Sequence, residues 1–204
     1  HLSLKKPLRL IVHDWGGMIG FAWATRHPEK VSQAVVLNTA AFPLPADKRC
    51  PLALWFAGRT RLGALLVRGV NAFSGVAARV AFKHPVSAEV RQVYTGPYDS
   101  WNNRIATLRF VQDIPLKEGD AGYAIVQGTA DRLESFRSKP VLLAWGMKDF
   151  VFDAAFLRQW RKYLPEAEAR EYPDCGHYVL EDAGADLRQR IDDFLEQHNP
   201  PDHG

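Results

Sequence analysis

Cysteine is scarce: Cys50 and Cys175 are the only two among 204 residues, and they sit in unrelated contexts. That leaves no disulfide framework and no cysteine-based zinc site, and it suits a reducing, cytoplasmic setting. No apolar run reaches the roughly 20 residues of a membrane span. Internal repeats and low-complexity tracts are absent, which excludes a solenoid. Neither sign of charge dominates. The 26 Lys and Arg and the 23 Asp and Glu leave a formal net charge of +3, spread along the chain. Nucleic-acid binding needs a dense basic stripe, and none is present. The sequence opens at His1, and no signal peptide precedes the first apolar run. It therefore reads as the later part of something longer. What it does have is 47% hydrophobic and 24% charged residues, enough for one sizeable core plus an insertion.

Residues 8–12 (LRLIV) form a short run rich in branched side chains, which predicts a strand buried on both faces. The turn His13-Asp14-Trp15-Gly16-Gly17 follows. Ile19, Ala22, Trp23 and Arg26 then recur at helical spacing over residues 18–27, until Pro28 stops the helix. Residues 34–37 (AVVL) read as a second buried strand. Strand–helix–strand is the unit of a parallel sheet, so the fold class is α/β. From 45 to 136 the pattern is helical, with prolines at 43, 45 and 51 marking its start. This stretch is expected to be a helical cap, with the core at 1–44 and 137–204. Residues 141–145 (VLLAW) restore the strand signal. An amphipathic helix over 153–164, a last strand over 168–172 and a closing helix through Leu187, Ile191, Phe194 and Leu195 complete the core. Residues 199–204 are expected to fray.

Three turns carry chemistry. Asp14 occupies the nucleophile position of a strand-to-helix elbow, with Gly16 expected to let the chain turn closely. A carboxylate there can attack carbon and form an ester; it can equally cap the helix. Asp149, in Trp145-Gly146-Met147-Lys148-Asp149, follows a buried strand and is placed to orient a histidine. Asp153 reads instead as the N-cap of the next helix. His177, in Asp174-Cys175-Gly176-His177-Tyr178, follows the last strand, and Gly176 lets the backbone carry it inward. The order nucleophile, acid, histidine is that of the α/β-hydrolase triad. The 28 residues from Asp149 to His177 hold one helix and one strand.

VHDWGGMIGFAWATRHPEKV, WGMKD and DCGHYVLED resemble the elbow, acid turn and histidine turn of the haloalkane dehalogenase and epoxide hydrolase branch of α/β-hydrolases. The resemblance implies the C-terminal half of an α/β-hydrolase sheet with an inserted cap, and earlier strands upstream. It also implies Asp14 as nucleophile, Asp149 as acid, His177 as base and the Trp15 indole as the donor that binds the leaving group. Some of these enzymes carry the acid after the preceding strand; here that stretch, VVLNTAAFPLP, has no carboxylate. A narrower resemblance runs through VHDWGGMIGFAWA, VLNTAAFPLP, NAFS, PYDSWNNRIATLRFVQDIPL and HYVLEDA. These are similar to the β-lactone decarboxylases of long-chain olefin biosynthesis. It implies conversion of a hydrophobic β-lactone to alkene and carbon dioxide, no cofactor or metal, and partners in a multienzyme complex. Haloalkane dehalogenation stands as the alternative. Epoxide hydrolysis ranks lower, because no motif sets two of Tyr94, Tyr98 and Tyr123 over Asp14. An inactive fragment or interaction subunit is the non-enzymatic reading. Arg104 and Arg109, in the cap segment, are candidate substrate contacts or solvated helix charges.

Overall fold

The computed structural model describes residues 7–199; the expected ragged end at 200–204 lies outside the described residues. The chain runs β1 (Leu8–Asp14), α1 (Trp15–Ala24) and β2 (Val31–Thr39). The helical stretch follows as α2 (Leu52–Arg59), α3 (Arg61–Val70), α4 (Ala72–Val80), α5 (Ala88–Thr95), α6 (Ile105–Gln112) and α7 (Tyr123–Ala130). It closes with β3 (Val141–Gly146), α8 (Ala154–Tyr163), β4 (Glu168–Tyr172), α9 (Val179–Asp182) and α10 (Gly184–Gln197).

The four strands form one parallel sheet in the order β1-β2-β3-β4, with Val12 opposite Val36 and Val36 opposite Leu143. Alternate residues of a strand face opposite sides, and both sides are covered. Val36, Leu143 and Trp145 pack with Phe21 of α1 and Trp160 of α8. Val35, Leu37, Leu142 and Ala144 pack with Leu187, Ile191 and Phe194 of α10. Parallel strands need crossovers; α1 and α8 are crossover helices and form one layer, while α10, which follows the last strand, forms the other.

Several expectations are corrected. β1 is not buried on both faces: Val12 is buried, but Ile11 is 49% exposed. Among the described residues β1 pairs only with β2. Helix α1 starts at Trp15 rather than residue 18, because Asp14 turns the chain within one residue, at φ 51°. β2 is longer than its apolar stretch: Gln33, Asn38 and Thr39 are wholly buried, and the Gln33 amide nitrogen, the Asn38 amide and the Thr39 hydroxyl find partners. Within the helical stretch α7 packs on α1, and Ala130, Leu133 and Phe136 belong to the sheet's core cluster. Among the described residues no helix is long and apolar enough to cross a membrane.

Candidate active site

Asp14 stands where β1 becomes α1, in a backbone conformation (φ 51°, ψ −126°) that few residues other than glycine adopt. It occupies the N-cap position, yet its side chain makes no capping bond, and its carboxylate is 44% exposed. The elbow is tight because α1 lies close on β2. A Cβ at Gly17 would fall 2.0 Å from the Thr39 hydroxyl oxygen, whereas one at Gly16 would meet only an ordinary contact. Gly17, not Gly16, is therefore the glycine the turn requires. The Thr39 hydroxyl donates to the Asp14 carbonyl and braces the elbow from the neighbouring strand.

His177 follows β4. Gly176 allows the approach, since a Cβ there would press on the Ala81 carbonyl at 2.6 Å. The imidazole bridges the two carboxylates. Its Nδ1 lies 2.8 Å from Asp149 Oδ2 and its Nε2 3.9 Å from Asp14 Oδ2. Asp149, at the carboxyl end of β3, is 3% exposed. It also accepts from the Val151 N–H at 2.8 Å and from Asn38 Nδ2 at 3.1 Å. Burial alone would lower the His177 pKa. The Asp149 hydrogen bond and charge, with the charge of Asp14, outweigh it and hold the imidazole above its ordinary value.

Sequence reasoning missed three residues here. Asn38, at the end of β2, is wholly buried. Its amide donates to the Gly146 carbonyl at 3.0 Å as well as to Asp149, and it accepts from the Gly146 N–H at 2.8 Å. The stretch VVLNTAAFPLP that holds it has no carboxylate, and its sequence signal is a polar amide at the end of an apolar strand. His13 places Nε2 2.9 Å from the His177 carbonyl, with the two rings 4.7 Å apart. Burial, then the neighbouring His177, pull its pKa down, so a neutral His13 donates to that carbonyl. Tyr178 lines the same cavity; burial and the charge of Asp14 push its phenol up to about 12.

Asp14, Trp15 and His177 open into a cavity of about 490 Å³, otherwise walled mainly by apolar side chains such as Leu66, Val67 and Phe73 of the inserted helices. The Trp15 ring lies 5.2 Å from that of Phe110 on α6. Trp145 and Trp160 donate their indole N–H to carbonyls; that of Trp15 meets no acceptor among the described residues. Such a site can hold a greasy electrophile against a carboxylate, with a histidine beside it and the Trp15 indole N–H as a donor for a leaving anion. The other sequence candidates lie elsewhere. Arg104 gives its guanidinium to the carbonyls of Tyr98, Arg68, Gly69 and Asp99, and Arg109 is exposed and bonds Gln112; neither lines the cavity. Tyr94 donates to Glu181. Asp153 caps α8 by accepting from the Ala155 N–H. Among the described residues no three His, Cys, Asp or Glu side chains converge as a metal-binding set.

A parallel sheet with a carboxylate elbow, an acid after a strand and a histidine after the next defines an α/β hydrolase. The α/β hydrolase fold family model matches residues 1–184, and the chain belongs to that family. It is 50% identical over 197 residues to a cis-3-alkyl-4-alkyloxetan-2-one decarboxylase of Shewanella oneidensis, covering 96% of this chain and 62% of that protein. A protein of the same name from Xanthomonas campestris pv. campestris is 44% identical over 198 residues, covering 97% and 66%. The chain thus spans less than two thirds of the length of these relatives. The crystal structure of a putative ancestral haloalkane dehalogenase superposes with a TM-score of 0.84 at 21% identity, over 95% of this chain and 69% of that one; this likeness concerns the fold.

Proposed function

We propose that the protein opens and decarboxylates a 2-oxetanone bearing two alkyl chains, with Asp14 as nucleophile. The observation that carries this is the Asp14–His177–Asp149 array facing an apolar cavity of about 490 Å³. The names of the two relatives supply the substrate class. In the proposed reaction an Asp14 carboxylate oxygen attacks the ring carbon that bears the ring oxygen. That carbon–oxygen bond breaks, and the former lactone carbonyl becomes a carboxylate. The Trp15 indole N–H meets the new charge. The bond from that carboxylate to its neighbouring carbon then breaks. Its electron pair forms the alkene as the ester bond to Asp14 leaves, releasing carbon dioxide and restoring the Asp14 carboxylate. No water or proton is consumed.

His177, as an imidazolium held by Asp149, offsets the charges of Asp14 and the transient carboxylate. The cap in this reading comprises α2–α6, with α7 belonging to the core. A cytoplasmic location and a place in a multienzyme complex of olefin biosynthesis belong to the same proposal.

Product analysis as a function of pH is the test. A cis-3,4-dialkyl-2-oxetanone should yield alkene and equimolar carbon dioxide. The rate should fall as pH rises through the His177 pKa, above the ordinary imidazole value, because the cationic form is the working one. A hydrolase would instead need neutral His177 to activate water. Its rate would rise through the same pKa and its product would be a β-hydroxy acid, or halide and alcohol from a haloalkane. Either hydrolytic outcome, without alkene, refutes the proposal.

A further inference from the structure

His177 is held at two points, its ring and its backbone. The ring nitrogen Nδ1 lies 2.8 Å from Asp149 Oδ2. The contact from Nε2 to Asp14, at 3.9 Å, is too long for a hydrogen bond and orients nothing by itself. The backbone hold comes from β1: His13 Nε2 lies 2.9 Å from the His177 carbonyl oxygen. Among the described residues that carbonyl has no other hydrogen-bond partner. It belongs to no helix or strand, since His177 falls between the end of β4 at Tyr172 and the start of α9 at Val179.

Successive residues of a strand face opposite sides of the sheet. Val12 packs in the core with residues of α1 and α8, so His13 emerges on the other side, next to the elbow, where it meets the histidine turn. The bond also fixes its tautomer: a carbonyl only accepts, so the proton sits on His13 Nε2. The two rings lie 4.7 Å apart, tilted by 41°. The titratable groups facing His13 are His177, Asp14 and Asp149. Burial, then the neighbouring His177, keep its pKa below the ordinary imidazole value, so it donates as a neutral ring and sets no second cation beside His177.

We infer that His13 is a positioning residue: its Nε2–H, donated to the His177 carbonyl, pins the backbone of the histidine turn and so sets the imidazole between Asp149 and Asp14. The inference rests on the proposed reading of Asp14 and His177 and deepens it. With the Asp149 bond alone, the backbone can shift and the ring tilt with it, and Nε2 swings away from Asp14. With the backbone pinned as well, both ends of the side chain are fixed and Nε2 has one place. A misplacement of about 1 Å can cost on the order of 100-fold in rate. The acid after β3 and a histidine on β1 thus hold His177 from two strands, neither of which carries it.

The test compares His13→Phe, which keeps a flat ring and removes the donor, with His13→Gln, which keeps an N–H donor on a chain of similar reach. One readout is kcat and KM for a cis-3,4-dialkyl-2-oxetanone. The other is the downfield proton resonance of the His177 Nδ1–H, identified by its absence from His177→Gln, which needs no turnover. His13→Phe should lower kcat by about ten-fold or more with KM little changed, and should broaden or abolish the resonance. His13→Gln should restore both. If His13→Phe does not fold, His13→Leu takes its place. Unchanged kcat or an unchanged resonance in the variant without the donor overturns the inference, as does a His13→Gln protein no better than His13→Phe. If the unaltered protein turns over no lactone while the resonance still separates the variants, the reaction reading falls and the positioning role of His13 stands.

Discussion

Asn38 shows how much of a site can rest on a residue that does no chemistry. Its amide holds Asp149 from one side and both backbone groups of Gly146 from the other, fixing the acid relative to the strand that carries it. With Asn38 truncated, the Gly146 N–H and C=O and one lone pair of Asp149 lose partners in a dry interior. Asn38→Ala should therefore cost about 2–3 kcal/mol in stability and lower kcat by about ten-fold or more as His177 loses its fixed orientation. Denaturant melts and steady-state kinetics together check this; lost stability with unaltered turnover would assign Asn38 to folding alone. Asp14, Asp149 and His177 stand out in the sequence as candidates because each lies at or shortly after the end of a strand, which is a local feature. Asn38 does not, because its role exists only once β2 pairs with β3, which brings together residues 108 apart. Arg104 could not be told from a substrate contact for the same reason: the carbonyls of Arg68 and Gly69 that it holds lie 36 and 35 residues away.

At the level of elements, the strands were readable from branched apolar runs, and their ends were not. Val12 and Ile11 are both apolar, so their pattern could not reveal that one is buried and the other nearly half exposed. The α7 helix reads like the helices before it, and only its packing on α1 assigns it to the core. The histidine turn is tied to the inserted helices by Asp182 at the end of α9. Its buried carboxylate accepts from the backbone N–H groups of Lys83, His84 and Gly176, at 2.7 to 3.0 Å. One carboxylate thus anchors both the loop after α4 and the residue just before His177. Asp182→Ala should destabilise the protein by about 2–4 kcal/mol, since three backbone donors, that of Gly176 buried, lose a charged acceptor. Chemical denaturation measures it, and a loss below about 1 kcal/mol would show that the loop and the turn find other partners.

For the molecule as a whole, the sheet and its two helical layers form the platform and α2–α6 the roof, with an apolar cavity between them. The platform delivers the charged groups: the carboxylate elbow, its histidine and the buried acid. The roof delivers apolar wall and, through α6, the ring that lies on Trp15. The apolar residues of the inserted stretch serve both the roof's own packing and the cavity lining, and only the fold separates the two. The proposed reaction turns on a covalent bond between Asp14 and the substrate. Rapid-quench mass spectrometry of the protein with a cis-3,4-dialkyl-2-oxetanone measures it directly. A transient gain equal to the mass of the whole lactone, mapped to the peptide containing Asp14 and absent from Asp14→Asn, is the predicted result. Alkene formed by Asp14→Asn at the undiminished rate, with no adduct on either protein, would contradict it.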